Sequence, residues 1–320
     1  MTGMTSRERF VRAIEHREVD RTPCFVAAEE EVWPRLIEHV GGSTQLDVIR
    51  HFGGDSVQVS CYRPIPELRG VMTVDDVERV AWPEPSAAEL REYADRVKCA
   101  RETGLAVLGG VWASIFTHAR RAMGEAQYLT LMLDKPEVIE RLVGRDTESF
   151  LAINEAIFSQ CAGCMDVFFF GSDFGTQRSL FVAPDLIRRL YMPAIKLLAE
   201  QAKGYGLKVM YHTCGAVSEI IPDLIECGID ALDPVQVAAS GMEPARLAAR
   251  FGGQMAFHGG ISTQHLLPYA RPEEVYEVVR ETIAAFGPTG YIAGPDQWLM
   301  SDVPMENVEA MYRAVAEGNG

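Results

Sequence analysis

Long apolar runs are the first thing this sequence lacks. No stretch approaches the roughly 18 uncharged apolar residues needed to span a bilayer. The charged opening MTGMTSRERFVRAIEHREVDRTP has no apolar core of the kind a secretory leader needs. The expected location is therefore the cytoplasm, with no membrane partner. Basic residues are also scarce, 30 Lys and Arg against 45 Asp and Glu, a net charge of −15. Such a field repels phosphate backbones and anionic lipid, so no nucleic-acid partner is expected. A disulfide framework is missing too: Cys24, Cys61, Cys99, Cys161, Cys164, Cys214 and Cys227 are an odd set scattered along a long chain, and read as reduced thiols. Low-complexity tracts, linkers and self-similar periods are absent, so residues 1–320 read as one domain.

What is present is an alternation of two kinds of segment. Short apolar, β-branched or aromatic runs end in Gly, Pro or polar residues: TPCFVAA (22–28), DSVQVSC (55–61), LAVLGGVW (105–112), DVFFFG (166–171), LKVMYH (207–212), DALDPV (230–235), QMAFHGG (254–260) and GYIAG (290–294). Between them lie stretches with helical spacing, such as PEVIERLVGRDTESFLAINEAIFSQ and RPEEVYEVVRETIAAFG, several opening on Pro or an acidic residue and closing on Gly. Strand, helix, strand in repetition demands parallel pairing through right-handed crossovers. The expected fold is α/β, a (β/α)8 TIM barrel with residues 1–20 as an extra N-terminal helix. At 48% hydrophobic and 23% charged residues the chain can fill such a core.

In such barrels the active site is built at the C-terminal ends of the strands. Those ends carry Glu29, Glu30 and Glu31, then Cys61 and Tyr62, Trp112, Asp173, His212 and Cys214, Asp233 and Gln236, His258, and finally Asp296 and Gln297. YHTCGAV (211–217) puts an imidazole and a thiol two residues apart, with Gly215 permitting the bend that turns both inward. Zinc takes such ligands, yet an isolated His-x-Cys is equally read as a loop histidine beside a small buried cysteine, and spacing alone does not decide. FHGGIST offers His258 and a glycine-flanked helix start suited to an anionic group. Cys161 and Cys164 have CxxC spacing but lie at the opposite face and read as packing residues. Phe168, Phe169 and Phe170 read as a buried strand.

The segment GLKVMYHTCGAVSEIIPDLIECGIDALDPVQ (206–236) resembles the uroporphyrinogen decarboxylase superfamily, and especially its cobalamin-dependent methyltransferase branch. TSRERFVRAIEHREVDRTP (5–23), residues 168–198, 257–292 and 302–315 extend the resemblance over nearly the whole chain. It implies the same barrel and a zinc site in which His212 and Cys214 are two ligands. That branch takes a third ligand, a cysteine, just after the final strand; here GYIAGPDQW puts Gln297 at that place with Asp296 beside it. The arginine-rich motif and catalytic aspartate stretch of true uroporphyrinogen decarboxylases are not visible, and the glutamates of AAEEEVW would repel a polycarboxylate. The stretch GSDFGTQ resembles a D-x-G-T-Q stretch of methyltransferase-like members, with Asp173 facing the mouth.

These readings set the expectations. The resemblance implies a methyltransferase that moves a methyl group between a small-molecule methyl ether or thiol and a corrinoid carried on a partner protein, with zinc assisting. The alternatives are a decarboxylase-like lyase and a barrel that has kept only small-molecule binding. The metal candidates are His212, Cys214, Asp296 and Gln297. Asp173, His258 and Glu30 are the catalytic candidates, with Asp173 or a first-loop glutamate also able to complete the metal shell. Tyr62, Trp112, Gln177 and Gln236 are the substrate-binding candidates. A homodimer is compatible with the sequence, which says little about assembly.

Overall fold

The computed structural model describes residues 3–318. Seven strands, β1 (Ser56–Cys61), β2 (Ala106–Val111), β3 (Val167–Gly171), β4 (Lys208–His212), β5 (Ala231–Val235), β6 (Ala256–Ile261) and β7 (Tyr291–Pro295), form one parallel sheet in sequential order. The first five fall inside runs expected from the sequence, and β6 and β7 each run one residue past theirs, to Ile261 and Pro295. Helices cover the outer face, the longest being Pro136–Cys161. Among the described residues no helix is long and apolar enough to cross a membrane.

The first expected strand, residues 22–28, is the exception. It makes only isolated bridges, Cys24 with Ala293 and Ala28 with Leu299. Pro23 has no N–H to donate, and the Cys24 N–H goes to the Asp55 carboxylate at 2.9 Å rather than to a backbone carbonyl. The segment nevertheless holds the place of an eighth stave. Phe25 N–H bonds Ala293 O on one side, and Asp55 N–H bonds Cys24 O on the other.

Strand alternation sorts side chains between two cores. On β3, Phe168 and Phe170 point outward, stack on each other at 4.5 Å and meet the covering helices. Val167 and Phe169 point inward and join Phe25, Leu108, Met210 and Ile292 inside the curl. A nine-residue helix, α1 (Ser6–Ile14), adds Phe10, Ala13 and Ile14 to that inner cluster. It is shorter than the span 1–20 expected for it, because His16 turns left-handed at φ 54°; Met1 and Thr2 lie outside the described residues.

The N-terminal end of the sheet is held by carboxylates that precede alternate strands. Asp55, Asp166 and Asp230 accept the N–H of Cys24, Val107 and Val209, the starts of the neighbouring staves. Asp55 is fully buried and also takes Arg9 at 2.6 Å and Arg21 at 2.8 Å. Asp166 takes Arg7 at 2.7 Å. Buried charge so completely paired fixes α1 to the sheet.

Candidate metal centre and substrate cavity

The other end of the sheet is chemically different. Register sets His212, the last residue of β4, beside Asp233 of β5. Thr213 N–H then bonds Asp233 O at 2.7 Å, Gly215 N–H bonds the Gln236 side-chain oxygen at 2.8 Å, and Phe174 N–H bonds the Thr213 hydroxyl at 3.0 Å. These bonds lace the loops after β3, β4 and β5 together. Glycine makes the approach possible: a Cβ on Gly175 would lie 2.4 Å from Cys214 O, and Gly215 sits at φ 89° with Gly175 against it. Only residues without a Cβ let the two loops touch.

The result is a triangle of donors. His212 Nε2 lies 3.3 Å from Asp173 Oδ1 and 3.4 Å from Cys214 Sγ. Asp173, His212 and Cys214 are the one cluster of metal-capable side chains among the described residues. With zinc bonds of about 2.0 to 2.3 Å, tetrahedral geometry requires donor separations of about 3.3 to 3.6 Å. The residues present therefore fit such an ion. Asp233 Oδ2 holds His212 Nδ1 at 2.5 Å, which orients Nε2 toward the triangle, and its other oxygen holds His258 Nδ1. A carboxylate behind a ligating imidazole is the usual device for fixing its tautomer.

Electrostatics agree. Burial opposes the charged form of His212, but Cys214, Asp173 and Asp233 together hold its pKa well above the ordinary 6.5. Burial likewise pushes Asp173 up, yet its contacts with His212 and Cys214 bring it down to about 2. Asp233 is held low against burial by His258 and His212. Burial raises the Cys214 thiol, with His212 opposing. The carboxylates are thus ionised around a proton on His212. A divalent cation can displace that proton and the one on the thiol.

Beside the triangle opens a cavity of about 500 Å³. Phe25, Tyr62, Trp112, Phe169, Trp298 and Met300 give its apolar lining, and Glu29, Gln58, Gln297, His212, Asp233 and His258 its polar groups. Trp112 packs on Phe169 at 5.3 Å and on His212 at 5.6 Å, which joins the aromatic wall to the candidate metal centre. The Phe168–Phe170 run is thus a buried strand whose middle ring lines the cavity.

The structure brings together Asp173, His212, Cys214, His258, Tyr62 and Trp112 from the expected set. Others stand elsewhere. Asp296 is buried, and both Thr263 N–H and Thr263 hydroxyl donate to its Oδ1, at 2.8 and 2.9 Å, so it lies outside the donor triangle. Gln297 turns its amide nitrogen, 3.6 Å away, to Cys214 Sγ and gives its oxygen to Trp298 N–H, so no ligand oxygen faces the triangle. Gln236 is consumed by Gly215. Gln177 is exposed, and its backbone oxygen accepts from Ser240 N–H. Glu30 is exposed and borders an outer groove, while its neighbour Glu29 lines the cavity.

No helix follows FHGGIST until Pro272, and the Thr263 N–H expected for an anion already serves Asp296. Arg63 is buried against Asp146, neither a ligand nor a surface group. Asp233, Phe25, Phe169 and Trp298 belong to the site without having been assigned a part in it from the sequence, and Glu29, expected only as one of the first-loop glutamates that could complete the metal shell, lines the cavity instead. For Asp233 the signal was its place at a strand end.

Comparison with known proteins follows this geometry. A methylated-thiol–coenzyme M methyltransferase of Methanosarcina mazei is 27% identical over 141 residues, 43% of this chain and 35% of that relative. The chain thus matches about a third of the relative's length. A solved structure of a methyltransferase from Methanosarcina mazei superimposes with a TM-score of 0.71 at 17% identity, covering 99% of this chain and 100% of that one, a likeness of fold. Uroporphyrinogen decarboxylase (URO-D) is the family that matches residues 54–318, which contain all seven strands of the sheet. The chain belongs to the uroporphyrinogen decarboxylase family.

Proposed function

We propose that this chain is a zinc-assisted methyltransferase, moving a methyl group between a small-molecule methyl ether or thiol and a corrinoid carried on a partner protein. The observation that carries the reading is the Asp173, His212, Cys214 triangle opening onto an aromatic-lined cavity. Asp173, His212 and Cys214 would hold the ion. When bound it would supply Lewis acidity toward an ether oxygen, or lower the pKa of a thiol. Asp233 orients His212. Trp112 and Phe169 exclude water from the reacting side of the cavity, and His258 presents Nε2 where a proton can be accepted or returned. The cavity lacks any lysine or arginine, which tells against a carboxylate substrate and so against the decarboxylase-like alternative.

The test has two parts. Protein purified without chelator is assayed for zinc by mass spectrometry, with the expectation of about one ion per chain in the wild type and near none in His212→Ala. Equal emptiness of both sinks the metal reading. Transfer of a methyl group to a cobalt(I) corrinoid is then followed by visible absorbance, and a wild-type protein loaded with zinc that never methylates corrinoid from any ether or thiol sinks the reaction.

A further inference from the structure

Four observations bear on the charge of what the cavity binds. First, five aromatic side chains line it: Phe25, Tyr62, Trp112, Phe169 and Trp298. Ring faces are the negative pole of an aromatic quadrupole. Second, no lysine or arginine lines it, while Glu29 does. The Glu29 carboxylate has no hydrogen-bond or ion-pair partner among the described residues. Its position is set by the backbone, since Glu29 N–H bonds Leu299 O at 3.0 Å and Leu299 N–H bonds Ala27 O at 3.1 Å, which places Glu29 next to Trp298 and Met300.

Third, His258 is 3% exposed and lines the cavity, and its Nε2 is buried without a partner. Its Nδ1 faces the Asp233 carboxylate, so the buried Nε2 is the ring atom left open to the cavity. Fourth, Glu29 and Met300 also line an outer depression together with Glu30 and Glu31. A half-buried carboxylate beside aromatic rings is costly without a counter-charge, and Glu29 therefore asks for a positive guest.

We infer that the cavity takes an organic cation, a small molecule bearing a methylated or protonated ammonium head seated between Glu29 and the aromatic wall, and that it rejects sulfonates and carboxylates. The inference rests on the proposed function only in taking this cavity as the substrate site. Cations over Trp and Tyr faces are attracted by the ring quadrupole, most strongly where water is excluded. An anion meets Glu29 and the ring faces together and is repelled by both.

Choline, 3,3-dimethyl-1-butanol and isethionate share one hydroxyethyl frame with a positive, neutral and negative head. Each is titrated into the full chain, with tryptophan fluorescence reporting on Trp112 and Trp298 and calorimetry as a second readout. Choline is expected to bind in the millimolar range or tighter and at least about tenfold tighter than the neutral alcohol, with isethionate the weakest. In Glu29→Gln the advantage of choline over the neutral alcohol falls at least about threefold, while the melting temperature stays that of the wild type. Trp112→Leu weakens choline more than the alcohol. Equal binding of choline and its neutral analogue, tighter binding of isethionate, or no saturable choline binding overturns the proposal. Because binding is read without any methyl transfer, failure here is separable from failure of the corrinoid assay.

Discussion

Replacing Asp233 with asparagine isolates what the shared carboxylate does. In the wild type its two oxygens accept from His212 Nδ1 and His258 Nδ1. An asparagine of the same shape has one acceptor and one donor, so it can satisfy only one of the two N–H groups. The other imidazole must move its hydrogen to Nε2. For His212 that would leave a hydrogen on Nε2, the atom that a metal ion held by Asp173 and Cys214 needs free. Removal of the carboxylate behind a ligating histidine typically costs about 10- to 100-fold in metal affinity, or about 1.4 to 2.7 kcal/mol. The loss should sit at the upper end, because the variant also removes a buried negative charge that sits behind the ligand and would offset the charge of a bound ion. Competition against a chromophoric zinc chelator measures this at neutral pH, with a cooperative thermal melt as the check on folding. A folded Asp233→Asn protein that holds zinc within about twofold of wild type refutes the orienting role.

Asp296→Asn should keep the wild-type zinc content, since Oδ1 alone receives both bonds from Thr263. Burial raises the Asp296 pKa from 3.8 to about 6, so its stabilising contribution is present below 3.8 and lost as pH rises through about 6. The variant should therefore melt higher than wild type above pH 6, with the difference shrinking in acid; loss of zinc would instead make Asp296 a ligand. Gln297→Cys removes the amide that contacts Cys214 Sγ at 3.6 Å and offers a shorter thiol on the same side of the triangle; it should slow zinc loss to a chelator at least about tenfold if the loop carries that sulfur to the ion, and an unchanged rate would show that position 297 does not reach it. Arg9→Met removes the partner of Asp20 at 2.5 Å and of Asp55 at 2.6 Å. It should cost about 3 kcal/mol by denaturant titration while zinc content stays constant, and a matching loss of zinc would deny that the two ends of the sheet are independent.

The seven regular strands were legible because their apolar, β-branched runs are bounded by turn residues, as in LKVMYH and DVFFFG. TPCFVAA carries the same composition and still fails as a strand. Its partner for the Cys24 N–H is a side chain 31 residues away, which no local pattern displays. The site was legible as a list of strand ends and illegible as a geometry. Asp173 and Asp296 look alike in the sequence, yet one meets His212 and the other is consumed by Thr263, 33 residues earlier. Glu29 and Glu30 are adjacent, and a one-residue step changes which side of an extended chain faces inward. The bond from Glu29 N–H to Leu299 O decides between them. Asp233 stands 21 residues from His212 and 25 from His258, so its double duty appears only once the register of β4, β5 and β6 is known.

The two ends of the sheet differ in how completely their polar groups are paired, and that difference locates function. At the N-terminal end Asp55 and Asp166 are saturated by arginines and backbone N–H groups. The buried charges there serve to fasten α1 and the irregular first stave. At the C-terminal end one carboxylate is divided between two imidazoles, His258 Nε2 has no partner, and Glu29 faces a cavity without a counter-charge. Buried polar groups left unmatched cost stability. A fold that pairs its charges so thoroughly at one end has the means to pair them at the other. The unmatched groups are therefore best understood as half of an interaction whose other half, a metal ion at the triangle and a cationic head in the cavity, arrives from solution.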